Sequence, residues 1–328
     1  MNIGILDDYR DTVRTLNCFS KIAHHNVTIW HDHRKDTEVL AQRLRDTEVL
    51  VLIRERTPVR AALLERLPNL RLISHLGPYP HIEADACTRH GVILSSFIGG
   101  NRPSYATAEL NWALMIAAMR RIPQEMAAMK VGRWQAWPVG LGLRGRTLGI
   151  FGFGRIGAVI AGYGRAFGMN VIVWGRETSL AKAQANGYSV AMSKQHLFGE
   201  SDVVSLQLKL INETRGIVTA DDLARMKPTA VLVNTSRAGL IVEGALEEAL
   251  RRGRPGMAAL DVFDEEPLTN PSHPLLSMDN VIVTPHLGYV ERDSLEGMFN
   301  IMFDQIIAYE GGQPINVENP EVLGKKEL

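Results

Sequence analysis

Short apolar runs alternate with amphipathic segments along most of the chain. In the first hundred residues the runs "NIGIL", "VTIW", "EVLVLI", "LRLIS" and "VILSS" have the length of buried strands. Helical patterns such as "DTVRTLNCFSKIAHH" and "TEVLAQRLRD" lie between them. The same alternation returns with "TLGIF", "VIVWG", "DVVSLQL", "AVLVNT", "MAALDVF" and "VIVTPH". We therefore predict an α/β protein with two doubly wound parallel sheets, each covered by helices on both faces.

The alternation breaks at "SFIGGNRPSY", residues 96–105, where glycine and proline interrupt the pattern. Two helical segments follow, "YATAELNWALMIAAMRRI" and "PQEMAAMKVGRW". We interpret the break as a hinge near residue 100, which separates a first domain, residues 1–99, from a second, residues 100–290. A last helix, at about residues 291–311, is expected to begin a return segment, residues 291–328, that covers the first domain.

Composition excludes several classes of protein. With 328 residues and 45% hydrophobic content, the chain can form two cores, and its 36 basic residues balance its 36 acidic ones. We therefore expect no nucleic-acid partner and no anionic membrane surface. The longest apolar run, Trp112 to Met119, is too short to span a bilayer, and the start of the chain turns acidic by Asp7. Cys18 and Cys87 have no disulfide or metal spacing, so we expect a soluble, cytoplasmic protein without a metal.

A glycine motif opens the second alternation. Gly152, Gly154 and Gly157 form GxGxxG directly after an apolar strand and at the start of a helix. The first glycine allows a tight turn, the second lets the backbone approach a pyrophosphate, and the third allows close packing of helix on strand. The helix N-terminus then faces the phosphates. A structural turn is the alternative, but this strand–turn–helix context favours dinucleotide binding.

Three chemically distinct side chains follow successive strands of the second domain. Arg237 comes after "AVLVNT", Glu266 after "MAALDVF" and His286 after "VIVTP". Ligands of open parallel sheets bind beyond the carboxyl ends of the strands. Each residue alone is more often structural: a surface ion pair, a solvated loop acid or a loop histidine. Together, downstream of a dinucleotide loop, they predict a catalytic site.

The motifs "GFGRIG", "VNTSRAG", "DVFDEEP" and "TPHLGY", in this order and spacing, resemble those of the D-isomer-specific 2-hydroxyacid dehydrogenase family. That family contains phosphoglycerate, glyoxylate/hydroxypyruvate and D-lactate dehydrogenases. The resemblance extends over essentially the whole chain. It implies a Rossmann dinucleotide-binding domain inserted in a flavodoxin-like substrate domain, and hydride transfer between NAD or NADP and a small 2-keto or 2-hydroxy acid.

The resemblance also implies roles for individual residues. Arg237, Glu266 and His286 match the family's catalytic arginine, glutamate and histidine, with Glu265 as the adjacent alternative to Glu266. Asp261 matches the acidic contact to the nicotinamide carboxamide. The predicted cofactor-binding set, including the residues of the pyrophosphate loop, is Gly152, Gly154, Arg155, Ile156, Gly157, Arg176, Thr235, Asp261 and Gly288.

The chemistry of a 2-keto acid explains these residue types. The planar guanidinium of Arg237 can hold the oxygens of the carboxylate and the neighbouring carbonyl. Hydride attacks the carbonyl carbon while negative charge grows on its oxygen, and protonated His286 donates a proton there. Glu266, bonded to the other imidazole nitrogen, would fix the tautomer and favour the cationic ring.

The predicted substrate loop departs from the family pattern. In "SHLGPYPHIEAD" Gly77 remains, but Pro78 and Pro80 each remove a backbone N–H that could bind a substrate carboxylate. Glu83 replaces the usual aspartate. Arg54, after the third strand, could reach a substrate phosphate or second carboxylate, or could be a solvated loop residue.

Further departures lie in the second domain. Gln207 and Lys209 stand where relatives commonly have histidine and proline, and Ala238 replaces a glycine. These changes affect the choice of substrate more than the class of reaction.

The stretch "VIVWGRETS" bears on the choice of cofactor. In NAD-specific relatives an acidic residue ends this strand and accepts hydrogen bonds from the ribose hydroxyls. Here Gly175 occupies that position and Arg176 follows, which favours NADP because arginine can bind the 2′-phosphate. Glu177 could instead serve the ribose diol, so NAD remains open.

Other functions and the oligomeric state remain open at this point. A nonenzymatic dinucleotide sensor on the same fold would keep the glycine loop and the three polar residues. A formate- or phosphite-type dehydrogenase fits the arginine, glutamate and histidine less well. The apolar segment at about residues 105–135 is interpreted as a homodimer surface, although a core helix explains the same pattern.

Overall fold

The computed structural model describes residues 1–99 and 105–325. The chain divides into two compact units: Met1–Asn101 with Arg292–Leu328 is unit 1, and Arg102–Glu291 is unit 2. The hinge expected near residue 100 lies outside the described residues.

Unit 1 contains a five-stranded parallel sheet in the order β2-β1-β3-β4-β5. This is the flavodoxin-like order, in which the direction of winding reverses between β1 and β3. The strands are β1 Asn2–Ile5, β2 Asn26–Ile29, β3 Val49–Val51, β4 Leu72–Leu76 and β5 Ile93–Phe97. The α-helices are α1 Thr37–Leu44, α2 Ala61–Leu64, α3 Ala84–Arg89 and, from the return segment, α11 Arg292–Glu310.

Unit 2 contains a seven-stranded parallel sheet in the order β12-β11-β10-β9-β6-β7-β8. Winding reverses between β6 and β9, as in dinucleotide-binding folds. The strands are β6 Thr147–Phe151, β7 Asn170–Trp174, β8 Ser189–Val190, β9 Val203–Leu206, β10 Val231–Asn234, β11 Met257–Leu260 and β12 Val281–Val283. The helices are α4 Tyr105–Met119, α5 Ile122–Lys130, α6 Arg155–Ala166, α7 Glu177–Ala185, α8 Lys194–Glu200, α9 Ala220–Arg225 and α10 Ala245–Arg251. The predicted fold class, two parallel-sheet α/β domains, is confirmed.

The prediction of a single helix over residues 11–25 is wrong. The chain forms two 3₁₀ helices instead, Val13–Thr15 and Asn17–Lys21, separated by an extended Leu16. The carboxylate of Glu296, on α11, accepts hydrogen bonds from the backbone N–H groups of Asn17 and Cys18 and so starts the second helix separately. A partner distant in sequence therefore overrides the local helical pattern.

The apolar segment that suggested a dimer surface has two different environments. Trp112, Met115 and Met119 of α4 are buried in the core of unit 2, so much of α4 is a core helix. Met126 and Met129 of α5 are each more than half exposed. No helix within residues 1–99 and 105–325 is long and apolar enough to cross a bilayer.

Candidate active site

The glycine loop joins β6 to α6, and each glycine has a different constraint. Gly152 has φ +102°, and a Cβ there would lie 2.5 Å from the carbonyl oxygen of Gln207. A Cβ on Gly157 would lie 2.4 Å from the carbonyl oxygen of Gly152. A Cβ on Gly154, in contrast, would meet no described atom within 4 Å apart from its own neighbours along the chain. The loop thus has a tight turn, a close helix contact and an open position before the N-terminus of α6, which fits a dinucleotide pyrophosphate.

The turn after β10 holds Arg237 at the carboxyl edge of the sheet. The side chain of Asn234, the last residue of β10, accepts from the N–H of Ser236 and donates to the carbonyl of Arg237. The Ser236 hydroxyl donates to the carbonyl of Leu206 on the neighbouring strand. The Arg237 guanidinium donates from Nη1 to the Ser236 carbonyl at 2.7 Å. These contacts fix the backbone from which the arginine extends.

Glu266 and His286 lie together beyond β11 and β12. Nδ1 of His286 is 2.5 Å from Oε2 of Glu266, and Oε1 of Glu266 accepts a hydrogen bond from the N–H of Phe263. His286 has φ +55°, a left-handed conformation that is uncommon for a side chain of this size. Both side chains are partly buried, with 29% of Glu266 and 21% of His286 exposed, so the pair is only partly screened by water.

The charges around Glu266 favour its ionised form. Burial acts to raise the pKa of Glu266, but the hydrogen bond and charge of His286, the Phe263 N–H and the charge of Arg237 together hold it below its ordinary value. The structure therefore brings Glu266 and His286 into contact, and the charge of Arg237 acts on Glu266.

Asp261, directly after β11, organises the loop that follows β12. Its carboxylate accepts from the Thr284 hydroxyl at 2.6 Å and from the N–H groups of Leu287 and Gly288 at 2.7 and 2.9 Å. Burial raises the pKa of Asp261 above its ordinary value despite these three donors. The carbonyl of Gly288 in turn accepts from the Thr107 hydroxyl on α4. Asp261 and Gly288, both predicted to contact the cofactor, are thus directly bonded.

A buried polar network near the carboxyl edge of the unit 2 sheet was not predicted from the sequence. The amide of Asn111, on α4, donates to the Thr235 hydroxyl at 2.9 Å and accepts from the Ser205 hydroxyl at 3.2 Å. Gln207 donates to the same Ser205 hydroxyl. Asn111 is fully buried. The available signal was a polar residue inside the apolar run of α4, which suggests a satisfied buried partner for Thr235.

Gly175 and Arg176 lie where β7 meets α7, beside the glycine loop. A Cβ on Gly175 would be 3.6 Å from the Cα of Gly152, so the two turns adjoin. Arg176, at the N-terminus of α7, and the following Glu177 are exposed.

The predicted substrate residues belong to unit 1. Arg54, beyond β3, has φ +58°, and Gly77, beyond β4, has φ +108°. A Cβ on Gly77 would lie 3.8 Å from Nη1 of Arg54, so the two positions adjoin within this unit. The Ser96 hydroxyl donates to the Gly77 carbonyl and lies 3.1 Å from Nδ1 of the buried His75.

The chain is similar to several known proteins. Residues 112–288 match the family described as D-isomer specific 2-hydroxyacid dehydrogenase, NAD binding domain. The glyoxylate reductase of Aeropyrum pernix is 35% identical over 92% of this chain and 91% of its own. A solved phosphoglycerate oxidoreductase from Vibrio cholerae o395 is 45% identical, with a TM-score of 0.90, over 95% of this chain and 99% of its own. A solved oxidoreductase from Ralstonia solanacearum is 50% identical, with a TM-score of 0.93, over 98% of each chain.

These relatives confirm the predicted reaction class, hydride transfer between NAD(P) and a 2-keto or 2-hydroxy acid. They likewise confirm the prediction of an NAD(P)-dependent oxidoreductase that acts on CH–OH groups. The family resemblance drawn from the four sequence motifs is likewise confirmed. The chain belongs to the D-isomer-specific 2-hydroxyacid dehydrogenase family.

Proposed function

We propose that this enzyme reduces a small 2-keto acid with His286 as proton donor, Glu266 as its positioning partner and Arg237 as the carboxylate-binding residue. The observation that carries the proposal is the 2.5 Å contact between His286 Nδ1 and Glu266 Oε2. Because Nδ1 is engaged, Nε2 is the nitrogen left to meet a substrate oxygen. A histidine in this arrangement donates a proton in reduction and accepts one in oxidation.

Arg237 and Glu266 have complementary roles in this proposal. The charge of Arg237 helps to lower the pKa of Glu266, which supports a common site for the two residues. An anionic substrate brings a second carboxylate to Arg237, where charge-assisted hydrogen bonds align its carbonyl with His286. Glu266 offsets the positive charge of a protonated His286 imidazole. The three residues together can bind a 2-keto acid and neutralise the charge that grows on its carbonyl oxygen.

The cofactor of the family fits the residues present, and bound NAD(P)H supplies the hydride. Gly152, Gly154 and Gly157, with the first turn of α6, would hold the pyrophosphate. Asp261 and Gly288, joined by a 2.9 Å hydrogen bond, would hold the nicotinamide end. Thr235, bonded to Asn111, would complete that surface.

NADP is the cofactor that the turn after β7 favours. Gly175 offers no carboxylate to repel a 2′-phosphate, and the exposed Arg176 can bind one through charge-assisted hydrogen bonds. Glu177 is the residue that would favour NAD if it served the ribose hydroxyls.

Arg54 and Gly77 are proposed to recognise the part of the substrate away from the reacting carbon. Arg54 suits a substrate with a second anionic group, a phosphate or a carboxylate. Pro78 and Pro80 limit the number of backbone donors after Gly77, so side chains carry more of the recognition in this enzyme.

Exposed apolar side chains on and after α5 support a homodimer. Met126, Met129, Val131 and Trp134 are each at least 55% exposed, which is unusual for neighbouring large apolar residues of a monomer. Light scattering of the wild type and of Trp134→Glu tests this: the wild type should have twice the chain mass, and the variant should be shifted toward the monomer.

The direct test of the function is an assay of the purified chain with NADH and NADPH against glyoxylate, hydroxypyruvate, pyruvate and phosphohydroxypyruvate. We expect steady oxidation of the reduced cofactor that depends on the 2-keto acid, with the highest kcat/KM for one of these four. Cofactor binding without turnover of any 2-keto acid would contradict the proposal.

A further inference from the structure

A cluster in unit 1 has no part in the proposed reaction. Nε2 of His25 lies 3.5 Å and Nε2 of His24 lies 3.7 Å from the same atom, Oε2 of Glu310. The three ligand atoms all lie within 4.8 Å of one another. His24 and His25 end the turn before β2, and Glu310 is the last residue of α11. Two distant parts of the unit thus present their side chains to one point.

The two N···O distances, 3.5 and 3.7 Å, are nearer to those between metal ligands than to those of hydrogen bonds. Both N···O separations exceed 3.2 Å, the usual upper range for a protein hydrogen bond. A tetrahedral ion with ligands at about 2.0–2.2 Å holds those ligands roughly 3.3–3.6 Å apart. Two imidazole nitrogens and one carboxylate oxygen are a common ligand set for zinc.

His25 provides the second observation. Only 5% of its side chain is exposed, and its Nε2 has no hydrogen-bond partner among residues 1–99 and 105–325. Its other nitrogen, Nδ1, faces the amino group of Met1 at 3.4 Å, which leaves Nε2 as the atom turned toward Glu310.

A cation near Glu310 would also stabilise the C-terminal end of α11. Two earlier acids of α11 have donors on the segment before β2: Glu296 binds the N–H groups of Asn17 and Cys18, and Asp304 pairs with Lys21. The structure describes every residue in the last turn of α11, and none of them is basic. A carboxylate at a helix C-terminus is unfavourable unless a cation is near.

We propose that His24, His25 and Glu310 bind one divalent transition-metal ion of the zinc class, with water as the fourth ligand. The ion fastens the C-terminal end of α11 to the turn before β2. It is structural and is independent of the proposed active site, whose residues Arg237, Glu266 and His286 belong to unit 2.

The test is a titration of the chelator-stripped full chain with Zn²⁺ in competition with a chromophoric chelator. We expect one ion per chain, a loss of affinity on the order of tenfold or more in His24→Ala and in Glu310→Gln, and no change in the control His90→Ala, an exposed histidine after α3. His24 and Glu310 are also largely exposed, so both variants should fold.

A second measurement separates a formed site from surface adsorption. Saturating Zn²⁺ should raise the Tm of the wild type and of His90→Ala, and should not raise that of Glu310→Gln. Stoichiometry well below one, equal affinity in all four proteins, or equal Tm shifts would each overturn the proposal. The Zn²⁺ titration and the Tm measurements do not depend on activity toward a 2-keto acid. Failure of the metal-site proposal would therefore leave the proposed function intact, and the reverse also holds.

Discussion

Nδ1 of His286 lies 2.5 Å from Oε2 of Glu266, although 20 residues separate them along the chain. The contact forms because β11 and β12 are parallel neighbours, so the loops after them meet at one edge of the sheet. The contact also acts on the ionisation of Glu266, because the hydrogen bond and the charge of His286 help to hold the pKa of Glu266 below its ordinary value.

Glu266→Gln removes the negative charge that contacts His286, so the upper limb of the pH profile of 2-keto acid reduction should move to lower pH. The measurement is kcat/KM for the 2-keto acid across pH. Glu265→Gln is the matched control and should leave the limb in place. A shift of the limb in Glu265→Gln but not in Glu266→Gln would assign the role to Glu265. An unchanged limb in both variants would exclude a catalytic carboxylate–histidine pair.

Arg237→Ala should lower kcat/KM for the 2-keto acid by on the order of 10³, because the lost contact is to the charged substrate. The affinity for NADPH, measured by its fluorescence in the absence of substrate, should change little. Arg237→Lys should recover only part of the loss, since an ammonium cannot bind a carboxylate in the bidentate way. Parallel collapse of cofactor affinity would contradict a substrate-binding role.

The glycine loop offers a matched pair of variants. Gly154 and Gly162 both have open space where a Cβ would stand, as judged over the described residues, but only Gly154 lies at the N-terminus of α6. Gly154→Val should therefore weaken NAD(P)H binding by tenfold or more, by filling the space that a pyrophosphate would occupy. Gly162→Val, on the same helix, should bind the cofactor normally. Equal affinity in the two variants would argue against a phosphate site at this loop.

Arg176 is expected to determine the choice of cofactor. Arg176→Ala should raise KM for NADPH much more than KM for NADH, because only NADPH carries the 2′-phosphate. Lys182→Ala, an exposed cation on the same helix, is the control and should change neither. A wild-type enzyme with higher kcat/KM for NADH than for NADPH would show that Gly175 and Arg176 do not select NADP.

Much of the fold and of the proposed site could be predicted because its signals are local. The apolar runs mark the strands, and the carboxyl ends of parallel strands bring Arg237, Glu266 and His286 to one edge. The two 3₁₀ helices of residues 13–21 could not be predicted, because Glu296, far along the chain, provides the carboxylate that starts the second one. The short edge strand β8, with only two residues, left no periodic signal.

Asn111 and the metal-ligand cluster were missed for a related reason. Asn111 lies within an apolar helical run, and its partners, Ser205 in β9 and Thr235 directly after β10, are more than 90 residues away. His24 and His25 gain a possible function only from Glu310, nearly 300 residues later. Sequence spacing cannot identify partners that only tertiary structure brings together.

The central claim, that His286 supplies the proton during hydride transfer, is tested most directly by single-turnover reduction of a 2-keto acid by pre-bound NADPH. This measurement separates the chemical step from cofactor binding and product release. We predict that His286→Ala lowers the single-turnover rate by roughly 10²–10⁴ while the Kd for NADPH stays within about twofold of the wild type. An unchanged single-turnover rate in His286→Ala would contradict the account.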